Sequence, residues 1–303
     1  MTVPNAQAAE RRQPSSADPA GIHLALPKGR MEKGVLALLA EAGIRVENTA
    51  RGYRPRINLP GYETKVLKPQ AIVEMLAAGS RDVGFAGADW VAEMNADLVE
   101  LLDTGLDRVK IVAAAPPDLL VNNRPAKPSF VVASELEKLT LDWIADRDLD
   151  ARFLRSYGAT EVLPPEDCDC IVDIAASGAT LRANNLVVFD ELMTSSTRLY
   201  ASRAAMGDPA KRARLEELTM LLASVLEARR RVVLEVNVAP DRLDGLVESL
   251  PCMREPTIAT LRGDAGFAIK VAVLRDQLPA LIPQIRALGG TDILVTQPSQ
   301  IVP

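Results

Sequence analysis

The chain has 303 residues, 48 % of them apolar, with a formal net charge of -5. That is enough apolar material for one large core or two to three smaller ones, and the acidic balance excludes a general nucleic-acid binder, which needs a basic face. Three cysteines and a single histidine give neither a disulfide framework nor a zinc site. No apolar run reaches the ~20 residues of a membrane span, so the expected setting is the reducing cytoplasm, with no membrane and no nucleic-acid partner.

In chain order, residues 1–20 are polar and rich in Ala and Pro, the composition of a disordered N-terminal arm. Ile22 to Leu26 reads as a buried strand, Pro27-Lys28-Gly29-Arg30 as a loop, and Met31 to Ala42 as a helix with Met31, Val35, Leu38 and Leu39 on one stripe. A strand, a Gly-containing loop and a helix start form an anion-friendly turn at the carboxyl end of a strand, here with two cations. Arg51, Arg54 and Arg56 form a basic cluster, which either serves a phosphate-rich ligand or is a solvated loop. Pro69 to Ala78 is a helix with Pro in its first turn. Asp82 to Asp89, with Gly84 and Gly87, is a strand flanked by acids and open to close backbone approach. Leu98 to Leu102 and Val109 to Ala115 read as two further strands.

A second unit begins near Phe130. Its strand leads to Ser134-Glu-Leu-Glu137, which has the pattern of a capping box before a helix to about Asp146. Ala151 to Leu154, Asp169 to Ile174, Leu186 to Phe189 and Thr197 to Ala201 are strands. The Cys168/Cys170 pair lacks the further ligands that redox or metal chemistry needs and is assigned to packing. The stretch Asp173 to Leu181 is the most informative in the chain. An acid at a strand end precedes Ser177-Gly178-Ala179-Thr180, which opens a helix. Exposed N–H groups and the positive dipole end favour an anion there, Ser177 and Thr180 add hydroxyls, and Asp173 can accept from sugar hydroxyls. The other reading is an ordinary capped turn.

Alternating strands and helices imply parallel sheets covered on both faces. Asp208-Pro209 caps a long helix to about Arg230 with Leu215, Leu218, Leu222 and Leu226 on one face. The last seventy residues read βαββαβ, a ferredoxin-like unit without a convincing catalytic cluster. It is therefore expected to regulate or to assemble.

Together these residues resemble the long form of the ATP phosphoribosyltransferase family. The likeness rests on Pro27-Lys-Gly-Arg30, on Asp82, Gly84, Gly87 and Asp89, on Asp173 to Leu181, and on Arg254 to Ile258 and Ala287 to Leu294. Asn185 stands where that family more often has glycine. The resemblance implies an α/β fold with a two-lobed, type II periplasmic-binding-protein-like catalytic region and a C-terminal ferredoxin-like (ACT-like) domain. The expected bounds are 21–230 for the lobes (lobe 1 about 21–115 plus 196–230, lobe 2 about 116–195) and 231–303 for the regulatory domain.

The implied reaction joins ATP, through adenine N1, to phosphoribosyl pyrophosphate and releases pyrophosphate, with Mg2+ carried mainly on substrate phosphates and no protein metal site. Lys28, Arg30 and Asp173 are the implied catalytic residues. Asp173, Ser177, Gly178, Ala179, Thr180 and Leu181 would hold phosphoribosyl pyrophosphate; Arg51, Arg54, Asp82, Gly87 and Asp89 would serve the ATP side. The resemblance further implies histidine as inhibitor and a homo-oligomer, dimer to hexamer. A non-catalytic two-lobed binding protein with a regulatory tail is the alternative, and prephenate dehydratase a second.

Overall fold

The structure is a computed structural model that describes residues 21–47, 52–253 and 255–302. The expected N-terminal arm, Arg51 and Arg254 lie outside the described residues.

Eight strands form one sheet: β1 (Ile22–Pro27), β2 (Tyr62–Leu67), β3 (Val83–Gly87), β4 (Leu98–Ala115), β5 (Phe130–Ser134), β6 (Ala151–Arg155), β7 (Cys170–Ala175) and β8 (Val187–Ser202). Their spatial order is β6-β5-β7-β4-β8-β3-β1-β2. β1 pairs in parallel with β2 and β3, and β5 with β6 and β7. The long strands β4 and β8 run antiparallel to each other and to the strands beside them, β7 and β3. Each half thus repeats one plan: three parallel strands in the order 2-1-3, closed by the two long strands shared with the other half. This is the type II periplasmic-binding-protein arrangement.

Two strands cross between the lobes where the sequence suggests four short ones. Residues 98 to 102 and 109 to 115 are joined through Asp103–Arg108, and β8 runs unbroken from Val187 to Ser202. The connecting residues look like turn formers, and they do bend the chain: Gly105 and Asp107 have φ of 64° and 48°. Register shifts flank Ser195, Thr197 and Arg198. The strands persist as bulged ribbons because side-chain carboxylates and hydroxyls take up bonds that the ladder loses.

Helices cover both faces. In lobe 1, α1 (Glu32–Glu41) and α7 (Pro209–Arg230) pack Val35, Leu38, Leu39, Leu215, Leu218 and Leu222 against Ile22, Leu24 and Phe85. On the other face, α2 (Pro69–Ala77) and α3 (Ala88–Glu93) bury Ile72, Val73 and Leu76 on Ala25 and Ala86. Asp208 caps α7 as its sequence predicts, accepting from the N–H groups of Ala210 and Lys211 at 2.9 and 3.1 Å. A short helix, α6 (Arg203–Gly207), precedes it, with Ser202 as its N-cap. In lobe 2, α4 (Glu137–Asp146) and α5 (Ala179–Ala183) flank β5 to β7, with Trp143 and Leu181 in the two cores. Cys168 and Cys170 are buried there; burial pushes the Cys168 thiol up to about 11 and raises Cys170 further, so both stay protonated packing groups.

The capping box does not form. Ser134 ends β5 and donates to Val172 O at 2.6 Å, and α4 is capped from outside by Glu93, whose carboxylate accepts from the N–H groups of Lys138 and Leu139 at 3.1 and 3.0 Å.

The C-terminal domain follows its pattern. β9 (Arg231–Val238), α8 (Leu243–Ser249), β10 (Thr257–Thr260), β11 (Phe267–Leu274), α9 (Leu278–Ala287) and β12 (Thr291–Thr296) form a four-stranded antiparallel sheet in the order β10-β11-β9-β12. Val232, Leu234, Val236 and Val238 alternate inward against Leu246, Leu281 and Ile285 of the helices.

Candidate active site

The carboxyl ends of β3 in lobe 1 and β7 in lobe 2 pair with the crossing strands, Gly87 with Thr197 and Ala175 with Lys110. There, Asp103, Arg108, Val109, Lys110, Ala176, Thr194, Ser195, Ser196 and Arg198 line a cleft of about 480 Å³. Ala176 is the first residue of the loop after β7, so that loop begins at the cleft, while Asp173 and Ser177 to Thr180 lie beside it and outside its lining.

In that loop Gly178 is the N-cap of α5 with φ 69°, a left-handed conformation costly for side-chain-bearing residues. Arg182 donates to Ser177 O at 3.0 Å and holds the loop closed from behind. Ser177, Ala179 and Thr180 are exposed. Leu181 is not: its side chain sits in the core with Cys168, Ile171 and Leu186, so it anchors α5 and offers a ligand only backbone. Asn185 has φ 53°, which explains why glycine suits that position and why asparagine, among the more tolerant residues in this region, replaces it. Asp173 is half-buried one turn of strand before the loop. Burial pushes its carboxyl up to about 6, with Glu161 and Glu135 adding to the rise against the N–H of Ile174.

On lobe 1, Lys28 follows β1 and its N–H is bonded to Leu67 O at 2.9 Å, while its Nζ lies 5.8 Å from the Tyr53 ring centroid. Arg30 is exposed in the turn Gly29–Met31 and makes no ion pair among the described residues. Arg54 lies along the outer edge of β2; the pKa of Lys65 is lowered chiefly by Arg81, then by burial and by Arg54, and that of Arg81 chiefly by its own burial, with Arg54 adding to it. Asp82 is elsewhere. It precedes β3, at the end opposite Gly87 and roughly 16 Å away at the rise of a strand. Its carboxylate is buried, accepting from Lys211 Nζ at 2.7 Å and from the His23 N–H at 2.7 Å. That engagement ties α7 to β1 and takes Asp82 out of the ligand-facing set. Gly87 and Asp89 stand at the correct end, but Asp89 is 1 % exposed and faces Ser195 rather than open cleft.

The sequence reading missed the cations and hydroxyls of the crossing strands. Lys110 pairs with Glu191 at 2.6 Å, and Arg198 with Glu100 at 2.7 Å. Ser196 donates to Asp103 at 2.7 Å and Thr197 to Asp107 at 2.8 Å. Burial raises the Asp103 carboxyl, yet the bonds from Ser196 and the Gly105 N–H, with Arg198 and Arg108 nearby, bring it below its ordinary value. The overlooked signal was Thr194-Ser-Ser-Thr197, four hydroxyls in a row inside a strand.

Comparison with known proteins gives the family. A family model described as ATP phosphoribosyltransferase matches residues 68–224, and one for the family's C-terminal domain matches residues 228–299. The ATP phosphoribosyltransferase of Pelotomaculum thermopropionicum is 33% identical over 287 residues, spanning 93% of this chain and 99% of that protein. The chain belongs to the ATP phosphoribosyltransferase family. The relative from Desulforudis audaxviator is 34% identical over the same length and the same shares. Among solved structures, the ATP phosphoribosyl transferase (HisG:HisZ) complex from Thermotoga maritima aligns with a TM-score of 0.60 at 24% identity, over 68% of this chain and 98% of that one. It shares the fold.

The activity is that of histidine biosynthesis in which ATP takes the phosphoribosyl group from phosphoribosyl pyrophosphate, a glycosyl transfer. Enzymes of this family need a divalent metal ion. Among the described residues no three His, Cys, Asp or Glu side chains gather as a metal site. Asp103 is the acid in the lining of the cleft and Asp173 lies three residues before Ala176, oxygen donors that fit a hard ion held chiefly by substrate phosphates and water.

Proposed function

We propose that the cleft where β4 and β8 cross is the catalytic centre, and that each lobe holds a different part of the reaction. The observation that carries this is the meeting of the loop at Ala176 with Arg108, Lys110 and Arg198 around one cavity. Ser177, Gly178, Ala179 and Thr180 take the 5-phosphate through hydroxyls and backbone N–H groups. Asp173, ionised, accepts from the ribose hydroxyls. Lys28 and Arg30 from lobe 1 face the pyrophosphate, whose charge grows as the bond to the anomeric carbon breaks. Arg108, Lys110 and Arg198 supply further positive charge from the crossing strands, and Arg54, with Arg51, flanks the ATP side. The adenine N1 displaces pyrophosphate directly, so no side chain need act as nucleophile. The metal of this reading is Mg2+; bound, it would offset the negative charge of the departing pyrophosphate, and Asp173 would be a side chain able to meet it.

The lobes lie within 21–230 and the C-terminal domain within 231–303. That domain binds histidine and lowers turnover by shifting the arrangement of subunits in a homo-oligomer. Among the described residues no helix is long and apolar enough to cross a membrane, which supports a cytoplasmic enzyme. Turnover tests the reading: ATP, phosphoribosyl pyrophosphate, Mg2+ and pyrophosphatase should give phosphoribosyl-ATP, seen by its ultraviolet absorbance, and histidine should suppress it. Product that ignores histidine removes the regulatory part. Lack of product from folded protein removes the cleft assignment.

A further inference from the structure

α3 is six residues long, yet both its ends are tied to parts of the molecule that a change in lobe angle would separate. At its start, Ser195 of the crossing strand donates to Asp89 Oδ1 at 2.6 Å and accepts from the Asp89 N–H at 3.0 Å. Ser195 lies just beyond the pairing of Thr197 with Gly87, where β8 leaves the lobe 1 ladder, and a register shift falls between Ser195 and Thr197. At its end, Glu93 reaches lobe 2 and accepts from two N–H groups of α4, Lys138 and Leu139. A carboxylate at a helix N-terminus gains both from the unpaired N–H groups and from the helix dipole. The space for the first tie is provided by Gly87: a Cβ there would lie 2.1 Å from Asp89 Oδ1.

We propose that Asp89, Ser195 and Glu93 are positioning residues that make α3 a strut between the lobes. Asp89 acts through Ser195, which sets where β8 bends and so where Thr194, Ser196 and Arg198 stand in the cleft. Glu93 holds α4, and with it lobe 2, at the angle that brings the loop at Ala176 opposite Lys28. Asp89 therefore needs to be a hydrogen-bond acceptor rather than a charge facing ATP. The inference rests on the cleft being the catalytic centre, but one arm of its test reads lobe angle without turnover.

The test compares Glu93→Ala, Glu93→Gln, Asp89→Ala, Asp89→Asn and Ser195→Ala in the full chain, by steady-state kinetics, thermal unfolding and small-angle X-ray scattering. Glu93→Ala should lower kcat about tenfold, since misplaced reacting groups are costly in rate, with its unfolding transition retained and its ligand-free radius of gyration increased. Glu93→Gln keeps one acceptor oxygen of two and should fall between. Asp89→Asn keeps the oxygen that faces Ser195 and should stay within about threefold of the parent, whereas Ser195→Ala and Asp89→Ala should each cost about tenfold in kcat. Should Asp89→Ala fail to fold, the contrast between Asp89→Asn and Ser195→Ala carries the same information. Asp89→Asn as damaging as Ser195→Ala or worse would make the charge essential and overturn the proposal. A Glu93→Ala protein with parental kcat and parental dimensions would do so as well. A Glu93→Ala protein whose scattering changes, beside Lys28→Ala and Thr180→Ala proteins with parental kinetics, would keep the strut and move the catalytic centre.

Discussion

On the proposed assignment the two lobes hold phosphate by different means. Lobe 2 offers small and hydroxyl residues, Ser177 to Thr180, on a turn shaped by Gly178, with one acid, Asp173, behind it. Lobe 1 offers cations on a short turn, Lys28 and Arg30, and the crossing strands add Arg108 and Lys110. Neutral donors bind a phosphate whose charge stays constant during reaction. Concentrated positive charge is better used where charge grows. On that assignment the lobes divide ground-state binding, by lobe 2, from transition-state stabilisation, by lobe 1.

Removing charge from lobe 1 should therefore have the largest effect. Lys28→Ala is expected to lower kcat about a hundredfold with little change in the KM for phosphoribosyl pyrophosphate; a raised KM at parental kcat would erase the contrast. Next, Thr180→Ala on lobe 2 should raise that KM about tenfold, the loss of one hydrogen bond to a charged group, and leave kcat nearly intact. Unchanged kinetics would remove Thr180 from the phosphate site.

Asp173 sharpens the comparison through pH. Its carboxyl is raised to about 6 in the folded protein, above its value in an unfolded chain. The folded state thus holds the proton more tightly, and stability falls as pH rises from the ordinary carboxylate range through about 6. Activity should run the other way, because only the ionised form accepts from both ribose hydroxyls. The profile of kcat/KM for phosphoribosyl pyrophosphate is expected to rise through pH 6, and Asp173→Asn should flatten it while removing the stability slope. A rise that persists in Asp173→Asn assigns it to another group. The smallest effect belongs to a control outside both walls: Asp208→Ala deletes the cap of α7 and should cost about 1 kcal/mol of stability without altering KM for either substrate.

How much of this could be read from residues differs by region. The C-terminal domain was legible strand by strand because it pairs through short connections, and its inward Val232, Leu234, Val236 and Val238 alternate with a period of two. The turn at Ser177-Gly178 and the helix start after it were legible because they are set by local residues. The crossing strands were not. Asp103 to Arg108 carry the marks of a turn, and only partners about ninety residues away, such as Thr197 for Asp107, let them continue as strand. Asp82 misled for a related reason: an acid near two glycines suggests a ligand, but Lys211 from α7 occupies it. The capping box at Ser134 failed because a strand ends there and Glu93, distant in sequence, supplies the cap.

The continuity of β4 and β8 through both lobes has a consequence for how the molecule is made. The lobe 1 half of the sheet is not a contiguous stretch of chain. The lobe 1 ladder needs Thr197–Ala201 to pair with β3, and these residues leave the ribosome only after all of lobe 2 has been synthesised. β1, β2 and β3 must wait beside an unpaired edge while some hundred residues are added, so the slow, long-range step of folding falls late. During that interval the exposed edge of β3 is the place where a nascent chain would meet a chaperone or another copy of itself.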